Sequence, residues 1–223
     1  MQKIRAVLFI IAVLGITQLP VKVARAASLA GETLSTEELR ELQSKLNSRQ
    51  NLSVNFIQIR TSSLRPQKPS KSSGKARFTK PAKFRWEMET PQADVLIFNG
   101  TDLLSFKPGE KTGSRFKTEG ERSKEVKEVI DFVLDFDALM KRYRLVESIR
   151  LDQTIQLKLK PKVAGPVSDI NISVDGKDYF VKTVKMIFHN KNTSEFQFFD
   201  PSSGSIDPVA FSVPSGMKVV DAI

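Results

Sequence analysis

Apolar and polar residues recur along this chain at two periods, and the switches between them divide it into elements. From Ser35 the spacing is helical: Leu39, Leu42 and Leu46 recur three or four residues apart with charges between them. Ser35 with Glu38 three residues on makes a capping box, and the pattern stops near Asn47 or Ser48. From Leu52 the period falls to two. Leu52, Val54 and Phe56 alternate with Ser53 and Asn55, as a half-buried strand does. Ala76 with Phe78, then Phe84, Trp86 and Met88, then residues 93–98 and 103–106, read as further strands. Lys80-Pro81 ends one of them. Asn99-Gly100 predicts a hairpin turn, because both residues tolerate positive φ. Residues 61–73, rich in Ser, Pro and Lys, read as a mobile loop.

Helical spacing returns over residues 123–142, through Val126, Val129, Ile130, Val133, Phe136, Leu139 and Met140, as one or two amphipathic helices divided near Asp135 to Asp137. Strand signals resume at 144–149, 154–160, 169–174, 180–188 and 195–199, with Asp175-Gly176 as another hairpin turn. Many short strands and few helices predict a mainly β fold with some α, an antiparallel barrel or strongly curved sheet, and disfavour a parallel α/β arrangement.

The N-terminus carries a third pattern. Lys3 and Arg5 precede an apolar run over residues 6–16, and Ala24-Arg25-Ala26 supplies the small-x-small site that signal peptidase reads. Residues 1–26 are therefore expected to be a cleaved signal peptide and 27–223 a single domain, with an uncleaved anchor as the alternative. The formal charge of +10 falls by the four cations of the leader, Lys3, Arg5, Lys22 and Arg25. An exported basic protein rarely meets nucleic acid, so anionic lipid surfaces and acidic proteins are the better partners. The chain has no cysteine, which removes disulfides and the lipid-modified cysteine of a lipoprotein.

The sequence gives little to build catalysis from. Its one histidine, His189, sits at a strand end beside Asn190, where a turn residue is expected. Glu87/Glu89 and Asp135/Asp137 are carboxylate pairs two apart, and the first pair shares the face opposite Phe84, Trp86 and Met88, which makes solvated glutamates of them. No metal-ligand spacing, Walker loop, dinucleotide fingerprint or nucleophile elbow is present, so a non-enzyme without metal or cofactor is expected. Two signals remain. Phe outnumbers Tyr 15 to 2, which suits either a filled core or an apolar cavity. Nine cations and no acid lie between Arg60 and Arg85, either as a solvated face or as attraction to an anionic surface or acidic partner.

From Gly74 to Trp86 the chain reads G-K-A-R-F-T-K-P-A-K-F-R-W, which resembles the G-x-[small or Leu]-x-[apolar]-x-R-P-x-x-F-x-W signature of LolA, the periplasmic carrier of outer-membrane lipoproteins. Pro91-Gln92, residues 98–103 and the close at Phe211-Ser212-Val213-Pro214-Ser215-Gly216 through Val219-Val220-Asp221 are similar to that family's later motifs. The resemblance implies an incomplete, strongly curved antiparallel β-barrel covered by a helical lid. It implies a periplasmic, monomeric carrier that takes acylated lipoproteins from an inner-membrane exporter and delivers them to an outer-membrane receptor. The cavity it implies is lined by Phe56, Phe78, Phe84, Trp86, Met88, Leu96, Phe98, Leu103 and Phe106. Leu39, Leu42 and Leu46 with Val129, Ile130, Val133 and Phe136 would form the lid, and Arg65, Lys68, Lys71, Lys83 and Arg85 would dock on a partner or membrane. The family places an exposed aromatic at the cavity mouth where this chain has Phe84, so Phe84→Glu is expected to impair transfer and spare the fold. The chain has Lys80 where the family has the arginine that latches the lid. Lysine lacks the planar fork, which predicts a lid that opens more readily and slower cargo release in Lys80→Arg. A carrier of a phospholipid or glycolipid, a related-fold sensor, and a structural protein with a filled barrel are the other readings.

Overall fold

The computed structural model describes residues 31–116 and 135–222. Over these the chain is mainly β: one 13-stranded sheet, curled and left open, with two helices. Strand β1 (Glu32–Thr33) precedes helix α1 (Thr36–Ser48). A first meander follows: β2 (Asn51–Thr61), β3 (Ser70–Thr79), β4 (Lys83–Thr90), β5 (Asp94–Phe98), β6 (Leu103–Phe106) and β7 (Thr112–Phe116). Helix α2 (Phe136–Arg142) leads into a second meander: β8 (Tyr143–Leu151), β9 (Thr154–Pro161), β10 (Val167–Asp175), β11 (Val181–Phe188) and β12 (Thr193–Ser202). The two meanders join where β12 pairs with β2, placing Phe198 opposite Phe56 and Phe196 opposite Gln58.

The strand pairs are antiparallel except the last, in which β13 (Lys218–Asp221) lies parallel to β7, so the wholly antiparallel sheet expected from the sequence is corrected at that edge. The expected mobile loop at 61–73 is also corrected. It is the end of a long β2–β3 hairpin, in register from Asn51↔Thr79 to Arg60↔Ser70, leaving only residues 62–69 as the connection. Backbone pairing to β2 makes the Ser- and Lys-rich segment a strand although its side chains are largely solvated.

Helix α1 starts as its sequence dictates. The Ser35 hydroxyl accepts from the Glu38 amide at 3.3 Å, while the Ser35 amide donates to Glu38 Oε2 at 2.8 Å. Bonds donated to the Glu38 carboxylate by the Ser35 amide and, at 2.9 Å, by the Ser35 hydroxyl, with a further one from Arg150, hold it below its ordinary range. Leu42 and Leu46 are buried, each contributing on the order of 2 kcal/mol. Asp135 caps α2 by accepting from the Ala138 amide at 2.9 Å, and Phe136 and Leu139 are buried beneath it. Val129, Ile130 and Val133 lie outside the described residues.

Strand alternation sorts the apolar side chains into two clusters. The inner face carries Leu52, Val54, Phe56, Phe78, Phe84, Leu96, Leu103, Phe196 and Phe198, together with the buried residues of α1 and α2. The outer face of β5 and β6 carries Val95, Ile97, Leu104 and Phe106, covered by Phe211 from the C-terminal segment.

Candidate functional site

The two helices fill only one end of the inner face. At the end nearest Asn51, Leu42, Leu46, Phe136 and Leu139 share one core with Leu52, Phe78 and Phe84. Toward the far end of β2 the face opens into a cavity of about 710 Å³, within the range of about 300–1,000 Å³ usual for sites that enclose small ligands. Its apolar wall comes from Trp86 and Met88 on β4, Leu96 on β5, Val167 on β10, Met186 and Phe188 on β11 and Phe196 on β12. The Trp86 ring lies 3.9 Å from that of Phe56, centroid to centroid, and meets Phe196 edge-on at 5.7 Å. These contacts fix the aromatic floor.

The rim is polar, with the cations Arg60 and Lys68 among Thr61, Ser62, Asn190 and Asn192 around the opening and Asp94 on the β5 side. Gln58 and Ser194 are buried where floor meets rim. With its amide oxygen toward Arg60, Gln58 accepts from Arg60 Nε at 2.9 Å and Nη2 at 3.1 Å and from the Ser194 hydroxyl at 3.0 Å. The Arg60 guanidinium is thereby held at the rim.

Several side chains tie α1 to the sheet. Lys80 Nζ donates to the Asn47 carbonyl at 2.7 Å, and the Asn47 side-chain oxygen accepts from the Phe136 amide at 3.0 Å, so one residue at the end of α1 engages both β3–β4 and α2. Gln43 donates to Asp137 at 2.6 Å. Arg150 on β8 donates to Glu38 through Nη2 at 3.0 Å and Nε at 3.3 Å. Arg49 donates to the Asp178 and Tyr179 carbonyls at 2.6 and 3.0 Å; burial lowers the pKa of its guanidinium, partly offset by Asp178.

The structure distributes the sequence-derived site residues unevenly. Trp86, Met88 and Leu96 line the cavity, and Phe56 backs Trp86. Phe78 and Leu103 are buried in the inner core, and Phe98 is half-buried against it. Phe106 lies on the outer face under Phe211, because it is in register with Val95 rather than with Leu96. Phe84 is 2 % exposed and stacks on Phe98 at 6.0 Å, so no exposed aromatic stands there. Among the docking cations, Arg65, Lys68 and Lys71 are exposed at or beside the β2–β3 tip, with Lys68 lining the cavity. Lys83 is half-buried at the opposite end of the β3–β4 hairpin, in register with Thr79. Arg85 is engaged on the outer face: Nε meets Glu87 at 2.5 Å, Nη1 donates to the Ala210 carbonyl at 3.2 Å, and the guanidinium lies 5.9 Å from the Phe106 ring centroid. The second meander's share of the cavity, Val167, Met186, Phe188 and Phe196, was missed by the sequence reading; their alternation was visible, but not that the curl brings them opposite Trp86.

The sequence matches the family described as outer membrane lipoprotein carrier protein LolA over residues 47–214. The chain belongs to the LolA family. By fold it is similar to an uncharacterized conserved protein from Thermus thermophilus, with a TM-score of 0.54 at 9% identity over 82% of this chain and 99% of that one. Weaker likenesses are to a LolA superfamily protein from Nitrosomonas europaea (TM-score 0.43, 9% identity, 78% and 97% of the two chains) and to MucB (TM-score 0.41, 15% identity, 82% and 64%). No curated protein matches the sequence. Within this LolA family member, the glycine that opens the G-x-[small] motif, Gly74, lies against the Phe56 ring. The variable middle position of F-x-W is Arg85, which anchors the C-terminal segment rather than lining the cavity.

The Arg77–Glu87–Arg85 cluster of this LolA family member predicts a pH signature. Burial works to raise the Glu87 pKa, but hydrogen bonds and charge from Arg85 and Arg77 outweigh it and leave the carboxyl below its ordinary value. A lowered folded pKa gives stability that is complete above the unfolded pKa and lost as pH falls through the folded one. Glu87→Gln is therefore expected to cost on the order of 1 kcal/mol at neutral pH. Urea titrations of the two proteins should converge at acid pH, and a gap that persists there would rule out ionic pairing as its cause.

Proposed function

We propose that this protein is a periplasmic carrier that holds the acyl chains of lipoproteins on its inner face, taking them from an inner-membrane exporter and passing them to an outer-membrane receptor. One observation carries the reading: in a LolA family member, the inner face opens into a cavity of about 710 Å³ whose apolar wall, including Trp86, Met186 and Phe196, lies beneath a polar rim. Hiding acyl chains is a physical necessity for such transit. Each methylene exposed to water costs about 0.8 kcal/mol, so a bare chain of ordinary length would cost on the order of 10 kcal/mol. No bond is made or broken in this task, and the site needs none of the groups of a catalyst. Residues 1–26 serve in this reading as the cleaved leader that delivers the carrier to the periplasm.

The helices act as the lid. Cargo longer than the open cavity gains room only where Leu42, Leu46 and Phe136 now fill the inner face, so loading lifts α1 and α2 and release lets them return. Lys80 is the latch, through the bond from its ammonium to the Asn47 carbonyl. Lys80→Met removes a charge-assisted hydrogen bond, and release of a bound fluorescent fatty acid is expected to quicken by about tenfold. Lys80→Arg, whose fork supplies a second donor, is expected to slow it. Stopped-flow release measurements decide the matter: equal rates in all three proteins would remove Lys80 from the mechanism.

The reading itself is tested by expressing the precursor, isolating the protein from the periplasm and identifying what co-purifies by mass spectrometry. Acylated lipoproteins are the expected result. Phospholipid or glycolipid alone would keep the cavity and change the cargo. An empty protein that also takes up no hydrophobic probe would overturn the carrier reading.

A further inference from the structure

The β2–β3 hairpin carries an exposed aliphatic residue and unpaired cations on the edge of the cavity. Leu64 is 89 % exposed. Arg60, Arg65, Lys68 and Lys71 surround it in sequence with no acid among them, and none pairs with a described carboxylate. Further along the same basic run, Lys75 is neutralised by Glu89 at 3.0 Å, and Arg77 and Arg85 by Glu87. Lys80 is bound to the Asn47 carbonyl, and Lys83 stands apart at the other end of the hairpin. Cations without a described carboxylate partner are thus gathered on the hairpin whose Arg60 and Lys68 border the opening, with Asp94 as the carboxylate on the β5 side.

The tip is also built. The Arg65 amide donates to the Ser62 carbonyl and the Lys68 amide to the Arg65 carbonyl, both at 3.1 Å, making successive turns. The Ser63 amide donates to the Asn192 side chain at 2.9 Å and its hydroxyl to the Asn190 carbonyl at 2.8 Å. Those bonds bind the tip to the neighbouring β11–β12 turn, which brings a further exposed cation, Lys191.

We propose that this tip docks on an anionic bilayer, with Leu64 entering the interface and the cations on the headgroups, so that the cavity opens toward the membrane. The inference deepens the carrier reading, on which its purpose rests. An exposed leucine on a hairpin tip that also carries exposed cations complements a negatively charged surface with an accessible hydrocarbon interior. An acidic protein would account for the cations but would also have to set an apolar patch against Leu64, which a bilayer offers at every point of its surface. Arg60 and Lys68 serve both sites, since they line the cavity and belong to the same basic hairpin.

The test is flotation of the full mature chain with phosphatidylethanolamine vesicles, with and without phosphatidylglycerol. Binding to the anionic vesicles, weakening as salt is raised, is expected. At about 5-fold per cation, Arg65→Glu/Lys71→Glu should weaken it by more than about tenfold. Leu64→Ser should weaken it by about tenfold or more. Lys111→Glu/Lys218→Glu, the same charge change at the far edge of the sheet, should bind far better than the tip double variant. No binding to anionic vesicles, or tip variants that float like the parent, would overturn the proposal in favour of a protein partner or a bare solvated tip. Uptake of a fluorescent fatty acid without vesicles is measured on the same preparations. Loss of uptake with docking intact would sink the carrier reading alone, and loss of docking with uptake intact would sink this one alone.

Discussion

Phe84→Glu is expected to unfold this protein. The side chain is 2 % exposed and stacked on Phe98 inside the core that also holds Leu42 and Leu46. Truncating a buried Phe alone costs about 3–5 kcal/mol. A carboxylate in its place adds the desolvation of a charge with no partner, another several kcal/mol. Against a total stability of about 5–15 kcal/mol, the sum leaves little or no folded protein at neutral pH. Phe84→Leu, which keeps an apolar group there, should retain a cooperative unfolding transition at a lower denaturant midpoint. A Phe84→Glu protein with the parental midpoint and defective cargo transfer would restore the exposed-mouth role that the family resemblance implied.

Gly74→Ala is the second large effect. A Cβ there would stand 1.8 Å from the Glu87 carbonyl oxygen and 3.0 Å from Phe56 Cζ. The first obstacle is backbone on the paired strand, which cannot rotate away as a flexible side chain could. One methyl group must therefore spread β3 from β4 or displace Phe56 from Trp86. The expected cost is about 3 kcal/mol or more, at the upper end of core overpacking. Equilibrium urea unfolding reads it directly. An unchanged midpoint would mean that the β3–β4 register is far softer than its pairing implies.

Both predictions depend on which parts of the architecture sequence can carry. Helix α1 was legible to within a residue or so at its end, because a Ser/Glu capping box and three leucines at helical spacing are local signals. Strict alternation put Trp86 and Met88 on one face of their strand and Phe56 on one face of its own, and the family resemblance assigned those faces to the cavity. Alternation failed at Leu103–Phe106, where all four residues are buried. There both faces are covered, Ser105 included, and the distant Phe211 lying over Leu104 and Phe106 explains the outer one. The mouth of the cavity was half legible for a related reason. Its β4 and β5 wall follows from local pattern, but its opposite wall is set by the pairing of β12 with β2, a contact between segments more than a hundred residues apart. Phe84 went astray differently: the motif located the residue, while its exposure depends on how far α1 and α2 reach across the inner face.

The β2–β12 seam has a further consequence for how the molecule is made. A chain that emerges from its N-terminus completes β2 through β7 by neighbour-to-neighbour pairing, then must wait for β12, the last strand of the second meander, to cover the other side of β2. Until then an eleven-residue strand bearing Val54 and Phe56 has one flank of amides and carbonyls open. Non-local closure of this kind is slow, and long unpaired flanks recruit other strands. The chain would thus spend its own maturation as a sticky half-sheet, its apolar inner face and one strand flank open until the second meander arrives.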